Sequence, residues 1–230
     1  MRLAASLALV ALALSACGGS GPKPKQLSFE QATTTTTAAG TAHFTLSVTA
    51  DLAGTKVTAD ENGAVSFTHR RAHLYKLVPN SGLPQEVIVD GPYVYTNGNV
   101  QAALSDPTVK PWTKLDTRRL TASQRARQLD EISHVLAPAY LAVGVSRPHR
   151  VGVADDGTTQ FTGRVDPARL ARRVPAAKRA AISAAVRSDY ASRPFETSFW
   201  LDDRGRVRHV LVDYSTDKGT HFTIDATYTD

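Results

Sequence analysis

Thr41-Ala42-His43-Phe44-Thr45-Leu46-Ser47-Val48-Thr49-Ala50 alternates apolar with polar residues without a break. Ala42, Phe44, Leu46, Val48 and Ala50 fall on one side, and His43, Thr45, Ser47 and Thr49 on the other. Side chains along a strand point alternately to the two faces of a sheet, so this period predicts a strand with one face buried and one wet. Val57, Ala59, Gly63, Val65 and Phe67 continue the pattern on a second strand, with Gly63 expected at a bulge or a place of close approach.

Further strands are expected at residues 73–78, 85–89 and 93–95, the last two joined by Asp90-Gly91-Pro92, and another around Trp112. Thr121 and Gln124 then form a capping box for a helix that carries Leu129, Ile132, Val135 and Leu136 on one face. Pro138 is expected to end or kink it. Strands resume at 146–153 and 159–165 around the turn Asp155-Asp156-Gly157. Asp166-Pro167 reads as an N-cap followed by proline at the first helical position. Pro175 opens a longer helix with Ile182, Val186 and Tyr190 at spacings of four. Strands at 195–201, 207–214 and 221–228 close the chain, the first two linked by the hairpin signal Asp202-Asp203-Arg204-Gly205. Strands in consecutive runs with a few helices predict an α+β domain, an antiparallel sheet with helices on one face.

Ahead of the domain, Arg2 precedes an apolar run from Leu3 to Leu14, too short to span a bilayer comfortably, and then Leu14-Ser15-Ala16-Cys17. Residues 1–16 read as a lipoprotein signal peptide, with Cys17 as the site of acylation and the mature N-terminus. Residues 17–40 hold the lipidated Cys, a Gly/Pro/Lys tether (18–26) and a first helix capped by Ser28, or else a low-complexity continuation of the tether. Residues 41–230 form the domain. The expected location is the outer face of the cytoplasmic membrane, with the membrane itself as a partner through the lipid.

Without the 16-residue leader, 214 of the 230 residues remain, and the formal charge falls from +6 to +5 because Arg2 is the leader's one charged residue. The basic residues are scattered in pairs such as Arg70-Arg71, Arg118-Arg119 and Arg172-Arg173, not the dense stripe that nucleic acid requires. Cys17 is the single cysteine, so the domain has no disulfide or thiol nucleophile and depends on its core.

Several segments, in this order, resemble the LppX/LprG-type lipoproteins of actinobacteria. They are the leader, the early alternating strands, Lys110-Pro111-Trp112-Thr113-Lys114-Leu115-Asp116, Gln128-Leu129, Val143-Gly144, Phe161-Thr162-Gly163-Arg164-Val165-Asp166 and the run from Phe199 to Arg208. The likeness extends from about Thr41 to the C-terminus. It implies a LolA-like fold: a strongly curved antiparallel sheet, a half-barrel, enclosing helices on its concave face. It also implies an apolar cavity for a lipid or glycolipid that is carried through the cell envelope. The alternation itself leaves two interiors open, a ligand cavity or a core filled by the helices.

An acyl chain needs only an apolar lining, because each methylene removed from water contributes about 0.8 kcal/mol. Candidate lining residues on the sheet are Phe44, Leu46, Val48, Val65, Phe67, Val87, Val89, Phe199, Leu201, Phe222 and Ile224. From the helices come Leu129, Ile132, Leu136, Ile182 and Val186. Tyr93, Tyr95 and Trp112, which join an apolar ring to a polar tip, are expected at the cavity mouth. Small residues at Ala42, Ala50, Ala59 and Gly63 favour a cavity.

Catalysis has no comparable support. The seven histidines are dispersed, and His69 and His73 in an extended segment stand about 13 Å apart. Asp155-Asp156 and Asp202-Asp203 precede glycine in turns, where Asp is favoured for local hydrogen bonding. There is no metal motif, nucleophile elbow, phosphate loop or sign of a cofactor. The readings that remain are a lipid carrier and, as the alternative, an anchored interaction or sensor lipoprotein with a filled core that contacts an envelope protein.

Overall fold

The computed structural model describes residues 28–52, 54–77, 83–98, 100–189, 193–216 and 219–230, without the side chains at 100, 101, 122, 125–131 and 187–189. Cys17, the leader, the whole 18–26 tether and Tyr190 lie outside the described residues, as does the side chain of Leu129.

A short 3-10 turn, Phe29–Gln31, leads into α1 (Ala32–Ala38). The strands β1 (Thr41–Leu52), β2 (Thr55–Ser66), β3 (Arg71–Leu77), β4 (Pro84–Asp90) and β5 (Tyr93–Asn97) follow. Then come α2 (Val100–Ser105), β6 (Trp112–Asp116), α3 (Ala122–Leu141), β7 (Val145–Val153) and β8 (Thr159–Val165). The chain finishes with α4 (Pro167–Arg173), α5 (Ala176–Asp189), β9 (Phe195–Leu201), β10 (Val207–Ser215) and β11 (His221–Thr229).

The strands form one antiparallel sheet in the order β6-β5-β4-β3-β2-β1-β11-β10-β9-β8-β7. Two meanders, β1–β6 and β7–β11, are therefore joined along the pairing of the first strand with the last, Phe44 opposite Tyr228 and Val48 opposite Ile224. The sheet stays open, and α3 leaves from the β6 edge and delivers the chain to the β7 edge. It is a half-barrel with helices packed on its inner face; the consecutive strand runs predict the α+β sheet with helices on one face, and the resemblance implies its curved form.

The register carries the apolar set of each strand to that inner face. Phe44 and Leu46 of β1 stand beside Tyr228 and Ala226 of β11, and Val210 of β10 lies between Ala226 and Phe199 of β9. A buried Tyr228 hydroxyl donates to the Val135 carbonyl of α3 at 2.7 Å, and burial pushes its pKa up. His134 of α3 meets Glu61 of β2 at 2.7 Å, a second pin between helix and sheet.

The expected caps form. Thr121 accepts from the Gln124 backbone while the Gln124 side chain accepts from the Thr121 N–H. Asp166 accepts from the Ala168 and Arg169 N–H groups. Ser28, by contrast, makes no side-chain cap, and the first helix starts as a 3-10 turn. Its β-branched run survives because two threonines are put to use. Thr33 donates to the Ala139 carbonyl, and Thr36 accepts from the buried Val207 N–H at 2.8 Å. Pro138 does not end α3, which continues to Leu141. Burial of Ala139, Tyr140 and Leu141 and the bond from Thr33 hold the last turn against the missing proline N–H.

The two edges are built differently. β6 has five residues. β7 holds Arg147 at φ 54° followed by Pro148, and its register slips twice, between Ser146 and His149 and between Arg150 and Gly152.

At the β9–β10 hairpin, Asp202 receives the backbone N–H groups of Arg204 and Arg206 and lies 2.7 Å and 2.9 Å from the Arg206 and Arg208 guanidiniums. Burial alone would raise the Asp202 carboxyl, but these donors outweigh it and hold its pKa below the ordinary value. A depressed carboxylate contributes stability above its unfolded pKa of about 4, and that contribution is lost as pH falls through the folded value. Denaturant midpoints measured downward from pH 6 are therefore expected to fall less steeply in acid for Asp202→Asn than for the parent. Parallel acid limbs would refute this role.

Candidate functional site

The inner face is the first candidate. Phe44, Leu46, Val65, Phe67, Val87, Val89, Phe199, Leu201 and Ile224 are buried there, and Ile132, Leu136, Ile182 and Val186 are buried on the covering helices. Together they belong to one hydrophobic core, with Val48 and Phe222 partly buried at its border. The register arranges this face in rows across the strands. Near the middle lie Phe199, Val210, Ala226 and Leu46, with Glu61 next in the row. Nearer one end lie Val212, Ile224, Val48 and Ala59, and beyond them Tyr214, Phe222, Ala50 and Val57. Tyr214 and Phe222 stack with ring centroids 5.3 Å apart and planes 11° from parallel.

The helices cover these rows unevenly. The middle row is buried apart from Glu61, whereas Val48, Ala50, Ala59 and Phe222 are half-exposed and Val57 is open to solvent. The strand ends at Leu52, Thr55, Leu77, Pro84, Phe195, Ser215 and His221 all lie at this end.

The three aromatics expected at a cavity mouth are elsewhere. Tyr93 pairs with Asp90 and Asp116, Tyr95 with Ile88 and Lys114, and Trp112 with Asn97. Val94, between the two tyrosines, is the residue that faces the core. Tyr93, Tyr95 and Trp112 thus occupy the outer face, away from the helices, because a strand exchanges faces at every residue. On that face Lys114 Nζ sits 4.0 Å from the centre of the Tyr93 ring, and Arg118 donates to the Tyr93 hydroxyl at 3.0 Å. Hydrogen bonds from Arg118 hold the Asp116 carboxyl down at about 2.

The outer face also holds a hollow of about 500 Å³ over β2, β3 and β4. Its floor is apolar, with Ala64 and Ile88 and the strand segments at Val65, Ala72 and Val89, and its rim carries Thr41, Ser66, His69, Arg71, His73 and Asp90. Arg71 is paired with Asp90 at 2.9 Å, and His73 with Glu86 at 2.6 Å. Sequence reasoning did not find this hollow. Its only signal was Ala64 and Ile88, two apolar residues at positions whose parity assigns them to the wet side.

Among the described residues no three His, Cys, Asp or Glu side chains are placed to hold a metal ion. No described helix is long and apolar enough to cross a membrane.

No protein-family model matches the chain, and no curated protein matches it. Solved structures do. The lipoprotein LppX of Mycobacterium tuberculosis is 13% identical over 89% of this chain and 95% of that one, with a TM-score of 0.49. A LolA superfamily protein of Nitrosomonas europaea is 11% identical over 88% and 90%, with a TM-score of 0.34. The MucA/MucB complex of Pseudomonas aeruginosa gives 16% identity over 86% of this chain and 56% of that one, with a TM-score of 0.33. These are likenesses alone; the open antiparallel sheet with helices on its inner face rests on the strand order of this chain itself.

Proposed function

We propose that this protein binds a lipid or glycolipid against the inner face of its sheet and carries or shields it within the cell envelope. In this reading an acyl group on Cys17 holds the domain to the outer face of the cytoplasmic membrane. The observation that carries the proposal is the graded uncovering of the end row. Phe195 of β9 is 5% exposed and Tyr214 beside it is buried, Phe222 and Ala50 are half-exposed, and Val57 is 42% exposed. An alkyl chain laid along Phe222, Ala50 and Val57 would finish the burial that the helices leave incomplete. A dozen methylenes removed from water contribute about 10 kcal/mol before the cost of ordering the chain.

A second reading, an anchored lipoprotein that contacts an envelope protein, is favoured by the closed packing over Phe44, Leu46, Phe199 and Leu201 and by the hollow on the opposite face. Two measurements separate them. Protein purified from its own cell type is expected to release an amphiphile on lipid extraction and to show its mass by native mass spectrometry. Ala50→Trp, which fills the uncovered row, is expected to weaken uptake of a fluorescent fatty-acyl probe by about tenfold or more, equivalent to about 1.4 kcal/mol. No co-purifying amphiphile together with no probe uptake by the parent would overturn the carrier reading and leave the interaction reading.

A further inference from the structure

From Pro167 to Ser188 the chain carries six basic residues and no acid. This stretch folds as α4 and most of α5, and apolar residues pin its first half to the core. Leu170 and Val174 are fully buried, and Arg179 donates to the Val174 carbonyl at 3.3 Å. With those two inside, Arg172, Arg173 and Arg179 are exposed, and Arg169 and Lys178 are half-buried. α4 packs on the turn Ala142–Gly144, so closely that a Cβ on Gly144 would lie 2.9 Å from Leu170 Cβ. Two more exposed arginines adjoin that turn. Arg147 stands three residues beyond Gly144, and Arg164 of β8 is paired with Ser146.

Three acids lie nearest to these seven cations. Asp166 accepts from the Ala168 and Arg169 N–H groups, Glu196 stands opposite Arg164 on β9, and Glu30 is exposed on the turn before α1. Seven cations against three carboxylates leave a surplus of four positive charges. Asp213, a strand farther on, meets His221 at 3.2 Å. Asp130 and Glu131 precede Leu141 on α3 by ten residues or more, about 15 Å, and Asp189 follows Ala176 on α5 by about 20 Å. Among the described residues the arginines in ion pairs are Arg71, Arg118, Arg206 and Arg208, all elsewhere, and none of the seven meets a carboxylate. Burial lowers the pKa of Lys178, as it does for a cation with no anion beside it.

We propose that this corner, α4 with the start of α5 and the adjoining ends of β7 and β8, rests on a bilayer of anionic phospholipid, its arginines holding the phosphate groups. Six of the seven cations are arginine, whose planar guanidinium presents paired donors to two phosphate oxygens. The apolar residues of α4 are turned inward, so arginine, alanine and proline are left outside. A protein partner would want an apolar anchor at its centre, whereas headgroups ask for charge. The path of the chain brings the surface close. The Phe29–Gln31 turn packs on Ala142–Gly144, the same turn that holds α4. Ser28 is eleven residues on from Cys17, a span of at most about 40 Å. An acyl group on Cys17 therefore keeps a membrane within range of this corner. The choice of a bilayer rests on that anchoring, proposed above; the charge surplus does not.

The chain from residue 17 onward with Cys17→Ser carries neither leader nor acyl group and includes every described residue, so its binding reads the corner alone. Phosphatidylglycerol vesicles are expected to sediment it at least about tenfold better than phosphatidylcholine vesicles, and about 0.5 M salt to erase the difference. Arg147→Gln, Arg172→Gln and Arg173→Gln together, all at exposed positions, are expected to weaken capture about a hundredfold. Lys56→Gln, Arg119→Gln and Arg204→Gln remove as much charge from exposed positions elsewhere and are expected to change it by less than about threefold. Circular dichroism is expected to stay unchanged in both variants. Equal capture by the two lipids, equal losses in the two variants, or no capture at all would each overturn the proposal. Binding of soluble polyglutamate in that last case would assign the corner to an acidic protein. Acylation is read separately, from the mass of the N-terminal peptide of membrane-extracted protein, so the two readings fail independently.

Discussion

Gly63→Ala is expected to destabilise the protein by about 3 kcal/mol or more, through strain and steric conflict in the middle of the sheet. Gly63 has φ 154°, and a Cβ placed on it would lie 1.9 Å from the His73 carbonyl oxygen, 2.9 Å from the His73 carbonyl carbon and 3.1 Å from Leu74 Cα. All three are backbone atoms of the neighbouring strand, so no side chain can swing aside. Relief requires β2 and β3 to separate, and the pairs Asn62 with Tyr75, Gly63 with Leu74 and Ala64 with His73 stand in the way. Leu74 is fully buried, which ties the same ladder to the core. Urea unfolding checks the expectation. Gly157→Ala is the proper control, since Gly157 also has positive φ (81°) but opens onto free space, and its cost is expected near 1 kcal/mol. Equal costs at the two glycines would remove the close approach from the account.

Phe199→Ala is expected to cost about 3–5 kcal/mol, the range for emptying a buried aromatic site. Phe199 is fully buried, and its ring meets Phe29 edge-on at 5.2 Å between centroids. Phe29 also touches Phe161 at 5.3 Å, so a ring from the first described turn wedges between two strands. Deleting Phe199 therefore does more than open a cavity in β9. It removes one jaw of the clamp on the segment that leads to α1. Denaturant unfolding reads the global loss, and limited proteolysis near residues 28–40 reads the local one. A loss below 1 kcal/mol with unchanged proteolysis would mean that Phe29 and Phe161 close over the gap.

Much of this architecture was legible because each strand has one buried face. The alternation from Ala42 to Ala50 fixes which side chains meet Tyr228, Ala226, Ile224 and Phe222. The turn residues Asp90-Gly91-Pro92, Asp155-Asp156-Gly157 and Asp202 to Gly205 marked hairpins that form. Gly63 announced a close approach. The errors have physical causes too. α2 is six residues, too short to display a helical period. Of the two outcomes expected at Pro138, an end or a kink, the helix does not end there, because tertiary contacts at Ala139 hold the last turn. Tyr93, Tyr95 and Trp112 were placed by side-chain chemistry, when counting from Val94 would have put them on the outer face. Alternation assigns a face but not a depth, so it gave no warning of the hollow above Ala64 and Ile88.

The β7 margin has one more effect. An open sheet of this length offers its last strand as a template for another chain, and exposed Val151 and Val153 make this one sticky. Arg147 at positive φ, the missing donor of Pro148 and the two slips of register break the row of amide groups a recruit would have to match. An unclosed sheet thus carries, on this margin, an irregular backbone that disfavours edge-to-edge pairing.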